Sequence, residues 1–419
     1  MNPAISRLNR DQFIPVGLIS LFILLMPFSR ASEISISLLC LTGVGLLVKH
    51  YAMLRSERWF RLLALLFIVV WLPMLISAFD SYDPGKSWYQ TGMAIRLFFA
   101  ALAIAWFCRD PKVREWVLRI ATWSMLFWAV DAVFQLVVGF DLLGYPNIAE
   151  RLNGPFGTKN LKMGLVLAFL SPLVYEHARR KWPGWVMALS FVLITVVVFL
   201  SGIRAAWLLT LLMLVFYLLL IIRHRHETAF RQLLILPASA AVLFVLAFAF
   251  SPIVQQRVST TLELSGNSVA AWDSALSKRL PIWQTSTAII ESHPLNGVGI
   301  RAFPVAYPDF AEPDDPHIAR MDNGRGASHA HNLILEIATD TGGFGLLSLL
   351  LIIGLAYRVW RQTSSIQHRR MLPFVFCLLL VYFPFNSHYA YYGAFMSSLG
   401  CWLVGLWLGA LADTEPVES

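Results

Sequence analysis

The chain has 419 residues, of which 57% are hydrophobic and only 14% charged, and its mean hydropathy is +0.63. That is too apolar for a water-soluble protein of this length, so lipid must solvate most of it. The net charge of +8 would suggest nucleic acid as a partner of a soluble protein. Here the basic residues are spread loop by loop, not gathered in a patch, and no nucleic-acid partner is expected.

Taken in chain order, apolar runs of near-spanning length fall at 13–28, 34–49, 59–78, 91–108, 116–140, 161–176, 185–201, 205–222, 232–252, 333–357, 371–387 and 392–411. A span needs about 20 such residues, and the fold class expected is an all-α polytopic membrane protein of about twelve transmembrane helices. The first run follows Arg7 and Arg10 and is not ended by a small-residue cleavage site, so it reads as a first span and not a leader.

With the N-terminus placed inside, the inner loops hold Lys49, Arg55, Arg58 and Arg61, then Arg109, Lys112 and Arg114, then Arg179, Arg180 and Lys181, and later Arg223, Arg225, Arg231, Arg358, Arg361, Arg369 and Arg370. The short outer loops near 30, 80 and 389 are nearly free of Lys and Arg, which puts both termini on the cytoplasmic side of the membrane. Three outer segments depart from this: 141–161 with Arg151 and Lys159, the junction at Arg204, and the long loop 253–332 with Arg257, Lys278, Arg279, Arg301, Arg320 and Arg325.

The expected organisation is nine helices over 1–252 with a small basic outer loop at 141–161, a large helix-bearing outer loop over 253–332, and three helices with a cytoplasmic tail over 333–419. Within the long loop, Leu280, Trp283, Thr287 and Ile290 have helical spacing, and His293-Pro294 stops that helix. The run Glu312-Pro313-Asp314-Asp315-Pro316 reads as a turn-rich, solvated stretch. Cys40, Cys108, Cys377 and Cys401 lie in or beside apolar runs and show no metal-ligand or disulfide pattern.

The strongest local signal is Ser328-His329-Ala330-His331-Asn332 just before the tenth span. Asn332 is a suitable N-cap, which fixes His331 at the rigid end of a helix. A histidine there suits general-base work because its reference pKa of about 6.5 lies near neutrality. An imidazole at a bilayer interface is also simply amphipathic. The His329/His331 pair would need a third ligand for a metal, and His293, His317 and the acidic run offer none at a diagnostic spacing.

The second signal is a set of arginines at or in the membrane: Arg96, Arg151, Arg204 and Arg279. An arginine at the centre of a span costs about 2.5–3.5 kcal/mol on insertion scales, so it faces a polar cavity or an anion unless it snorkels to headgroups. Guanidinium groups grip phosphate oxygens bidentately and would stabilise a diphosphate leaving group. Asp131, deep in the fifth span, is a candidate partner for Arg96. A secondary transporter would also fit the hydropathy, but no internal repeat is present and the charges lie toward the outer surface.

The segments Ser-Gly-Ile-Arg-Ala-Ala-Trp (201–207), Ser-Lys-Arg-Leu-Pro-Ile-Trp (277–283), Ser-His-Pro-Leu-Asn-Gly-Val-Gly (292–299) and His-Ala-His-Asn-Leu-Ile-Leu-Glu-Ile-Ala-Thr-Asp-Thr-Gly-Gly-Phe-Gly (329–345) together resemble the O-antigen ligase and polymerase family. The resemblance implies a GT-C-like, metal-independent membrane glycosyltransferase with no cofactor, acting at the periplasmic face. In the ligase branch an undecaprenyl-diphosphate-linked glycan is moved en bloc onto lipid A-core. It implies His331, Arg279 and Arg204 as the catalytic set and matches the loop of Arg151 and Lys159 to the family's other basic loop; Arg151, Lys159, Arg96, Arg301 and Asn332 are the candidates for binding substrate. The polymerase branch uses a second polyprenyl-linked glycan as acceptor and often has two large periplasmic loops. Protein-targeted oligosaccharyltransferases of the family usually add a soluble C-terminal domain. One dominant loop favours the ligase.

Overall fold

The computed structural model describes residues 8–147, 151–158, 162–224, 227–265, 268–318, 325–385 and 389–412. Among the described residues there are sixteen α-helices and no strand. They are α1 (Arg10–Leu24), α2 (Ser32–Leu54), α3 (Arg58–Ala78), α4 (Pro84–Cys108), α5 (Pro111–Val138), α6 (Met163–Lys181), α7 (Gly184–Leu200) and α8 (Arg204–His224). There follow α9 (Glu227–Phe250), α10 (Pro252–Leu262), α11 (Val269–Ala275), α12 (Leu280–Ser292), α13 (Phe303–Phe310), α14 (Leu333–Gln362), α15 (Ser365–Val381) and α16 (Ala394–Leu411).

Each of the twelve apolar runs falls on a helix, because lipid leaves the backbone no partner but itself. Six helices (α2, α3, α4, α5, α14 and α16) are long and apolar enough to cross a membrane, and a seventh span results if Ala238–Phe250 and Pro252–Leu262, bent by 102°, are taken together. The others fall short for visible reasons. The 15 residues of α1 rise only about 22 Å against a hydrocarbon core of about 30 Å. Helix α6 ends in Glu176-His177-Ala178-Arg179-Arg180-Lys181.

The chain forms two compact units. One comprises Met1–Ser35, Phe107–Thr260 and Leu372–Val381; the other comprises Ile36–Trp106, Thr261–Met371 and Tyr382–Ser419. In the first unit α5 packs on α1, α6 and α7, while α8 lies against α6 and α7 and α9 against α7 and α8. Asp110 starts α5 by accepting the Lys112 N–H at 2.8 Å, and left-handed Gly139 closes it, the usual pairing of a polar N-cap with a glycine stop. In the second unit α14 packs on α3 and α12. There Met74, Ile300, Leu333, Ile337 and Tyr392 form one buried cluster, and Ile282, Val298, Phe303, Tyr307, Ala327 and Ala330 belong to another.

Helix α14 is kinked, not straight. Gly342 sits at φ 61°, ψ −152°, a region open in practice only to glycine. The segment 294–299 lies against the kink. Gly343 and Phe344 donate their N–H groups to the carbonyls of Pro294 and Leu295 at 2.8 and 3.1 Å, and Val298 and Gly299 donate to Thr339 and Asp340 at 2.8 and 3.1 Å. The break in the helix frees backbone groups, and the passing segment satisfies them.

Candidate active site

In the first unit, buried Gln135 of α5 organises the segment that follows that helix. Its side-chain oxygen accepts the N–H groups of Asn153 and Gly154 at 3.0 Å each, and its amide donates to the Tyr145 carbonyl at 3.0 Å. Asn153 in turn holds Gly157 and Met163, and Leu152 donates to the Leu200 carbonyl at 3.3 Å. This sets Arg151 across the 201–203 turn, where a Cβ on Gly202 would stand 3.5 Å from Arg151 Cγ and 2.9 Å from Ile253. Gly202 is left-handed, at φ 65°, and Arg204 opens α8 two residues later, half-buried. The structure therefore brings the Arg151 side chain onto the turn that carries Arg204. Arg257, one turn beyond Ile253 on α10, is half-buried; in the sequence it is one basic residue of a long loop with nothing to distinguish it. Lys159 lies outside the described residues.

In the second unit, Asn332 caps α14, its side-chain oxygen accepting the N–H groups of Ile334 and Leu335 at 3.0 and 3.2 Å. The expected cap is present, and that oxygen is committed to it. His331, half-buried, precedes it at φ 52° with its ring 3.9 Å from that of His329. His329 is buried and bonded to the Ser328 hydroxyl through Nδ1 at 2.9 Å. Among the described residues no group of three or more His, Cys, Asp or Glu side chains is assembled to hold a metal ion.

Arg279 is the residue immediately before α12. Trp283, one turn in, donates its indole N–H to the Ala330 carbonyl at 3.1 Å, which ties the start of α12 to the segment carrying His331. Arg301 stands at φ 61° and donates its N–H to Asp340 Oδ2 at 2.9 Å. Arg96 lies at the middle of α4, half-buried. Arg279, Arg301, His331, Asn332 and Arg96 thus share one unit, and Arg151 and Arg204 the other.

Two expectations are corrected. Asp131 Oδ1 accepts the Leu142 N–H at 2.8 Å and its other oxygen makes no hydrogen bond among the described residues, so it serves the segment after α5 and not Arg96. The acidic run is not uniformly solvated. Glu312 and Asp314 are exposed, but Asp315 is buried, accepting the Tyr307 hydroxyl and the His317 N–H at 2.7 Å each. Burial pushes the Tyr307 hydroxyl pKa up, a Thr285 hydrogen bond opposes this, and Asp315 adds to the rise.

The sequence reading also missed two carboxylates. Glu336 and Asp340 are buried one and two turns into α14, with Glu336 accepting the Tyr392 N–H at 3.4 Å. Their i, i+4 spacing was visible, but inside an apolar run it did not stand out. Backbone strain also marks this region. Of the described non-glycine residues with positive φ, only Ser29 lies elsewhere; Ser277, Lys278, Arg301 and His331 all adjoin the candidate residues, as is common where side-chain placement is functional.

Compared with known families, residues 189–350 match the family model described as O-antigen ligase. The match holds Arg204, Arg279, Arg301, His331 and Asn332 and leaves Arg96, Arg151 and Lys159 outside. No curated protein gives a significant match to the chain. Residues 189–350 thus carry the likeness to the O-antigen ligase family, and among the described residues six helices, or seven with the bent pair, are long and apolar enough to cross a membrane.

Proposed function

We propose that the protein is an O-antigen ligase that moves an undecaprenyl-diphosphate-linked glycan en bloc to lipid A-core at the periplasmic face of the inner membrane. The observation that carries the reading is that the matched domain holds His331, Arg279 and Arg204, each on a helix start fixed by local hydrogen bonds. In this reading about twelve helices span the bilayer with both termini inside, and 253–332 forms the periplasmic loop.

Arg204 and Arg279, helped by Arg151, Lys159 and Arg96, hold the donor diphosphate. His331 takes the proton from the acceptor sugar hydroxyl, and that oxygen attacks the anomeric carbon. The bond from the anomeric carbon to the diphosphate oxygen breaks with inversion. The electron pair leaves on undecaprenyl diphosphate, where the guanidinium groups stabilise the developing charge. The chemistry needs no metal ion or cofactor.

The test is transfer in vitro with purified protein, polyprenyl-diphosphate-linked glycan, lipid A-core and excess chelator. Transfer should survive chelation, and His331→Ala and Arg279→Ala should each lose about 10²–10³ in rate. Transfer to a second polyprenyl-linked glycan in place of lipid A-core would make the protein a polymerase.

A further inference from the structure

Three cations in the second unit are not explained by grip on a diphosphate held at Arg204 and Arg279. Lys86 lies in the first turn of α4, where Asp83 Oδ1 accepts its N–H at 3.2 Å. That turn is locked to the segment before Arg301: Ser87 donates its hydroxyl to the Ile300 carbonyl at 2.9 Å, and Tyr82 donates its N–H to the Val298 carbonyl at 3.0 Å. A side chain on Gly299 would collide with Ser81, so the approach is as close as the backbone allows. Arg301 is then held in its left-handed conformation by Asp340. Arg325 is set by its neighbour Gly326, which donates to the Pro304 carbonyl at 2.9 Å and has no room for a Cβ against the Tyr307 ring.

These fixed backbones bring the charges together. Lys86 lies within electrostatic reach of Arg301 and Arg325, which repel it, and of Asp83 and Asp340, which offset them. Among the described residues neither Lys86 nor Arg301 forms an ion pair. Asp340 and Glu336 are buried and accept backbone N–H groups, whereas Lys86 and Arg301 are half-exposed and Arg325 exposed. Like charges held together by backbone packing, with their heads toward solvent, gain most when an anion enters.

We propose that Lys86, Arg301 and Arg325 form a binding site for a phosphate substituent on the acceptor saccharide. The inference rests on the ligase reading for the identity of the acceptor. The acceptor is favoured over the donor because the patch shares its scaffold with His331, the residue assigned to the acceptor hydroxyl. Arg325 precedes His331 on the same stretch of chain leading into α14, and Asp340 lies on the helix that Asn332 caps. Two arginines supply planar forks for phosphate oxygens and the lysine a compact point charge.

The test is calorimetric titration of the detergent-solubilised full chain with soluble phosphorylated core oligosaccharide and with its phosphatase-treated form, at two salt concentrations. The phosphorylated form should bind about tenfold tighter or better at low salt. Lys86→Gln and Arg325→Gln should each remove that preference, and Lys86→Arg should keep most of it. In transfer assays the same Gln variants should raise KM for lipid A-core and leave KM for the polyprenyl-linked donor unmoved.

Equal affinity for the two oligosaccharides would overturn the site, and so would a raised donor KM, which would assign the patch to the donor. A phosphate preference in a protein that transfers nothing to lipid A-core would support the site and sink the ligase reading. Transfer with no preference would do the reverse.

Discussion

Gly342→Ala tests whether the kink of α14 is a constructed joint. At φ 61°, ψ −152° an L-residue costs about 1–3 kcal/mol, and the new Cβ would overlap the Leu295 carbonyl and stand 2.6 Å from the Asn296 nitrogen. Relieving the clash moves 294–297 away and loses the bonds from Gly343 and Phe344, at about 0.5–1.5 kcal/mol each. The sum is about 2–6 kcal/mol. The neighbouring Gly343→Ala is the control, because its Cβ would meet only the Pro294 oxygen, at 3.2 Å. Helix propensity favours alanine there by about 0.5–1 kcal/mol, so it should be near neutral. The assay is thermal unfolding of both variants in detergent beside the transfer assay. Equal melting temperatures for Gly342→Ala and Gly343→Ala would refute the joint.

Other outcomes follow from the same geometry. Asn332→Ala should lose about 0.5–2 kcal/mol of cap energy, and Asn332→Asp should keep it, both read by thermal unfolding. Tyr307→Phe leaves buried Asp315 short of a donor, a loss of about 1–3 kcal/mol. Because burial raises the Tyr307 pKa, its neutral hydroxyl contributes stability that is complete below the unfolded value of about 10 and fades at higher pH. The wild type should therefore show a steeper alkaline loss of melting temperature than Tyr307→Phe. Gly202→Ala, which meets Ile253 at a left-handed position, should lower both melting temperature and transfer, because it strains the turn that bears Arg204.

The helices were legible because lipid forces apolar runs of spanning length to bond within themselves, and local stops such as His293-Pro294 and Asn332 act through near neighbours. What was not legible depends on segments far apart in sequence. Nothing near Gly342 in the chain announces that 294–299 will lie in its bend, and nothing near Arg151 announces Gly202. Asp315 looks like a loop acid until the Tyr307 hydroxyl is brought to it. The His and Arg candidates stood out as residue types misplaced in lipid. Glu336 and Asp340 did not, because their pairing with backbone N–H groups of Tyr392 and Arg301 exists only in the folded chain.

The left-handed residues Ser277, Lys278, Arg301 and His331 also bear on how such a chain can be improved or degraded. A side chain in that region costs about 1–2 kcal/mol that glycine would not. A screen for heat resistance alone would therefore enrich glycine at these four positions, removing Arg301 and His331, to which roles are assigned, and the two residues before Arg279. Stability and the proposed activity pull against each other there, so a thermostabilised form of this protein is best sought with these four held fixed and the gains taken from the apolar helix surfaces.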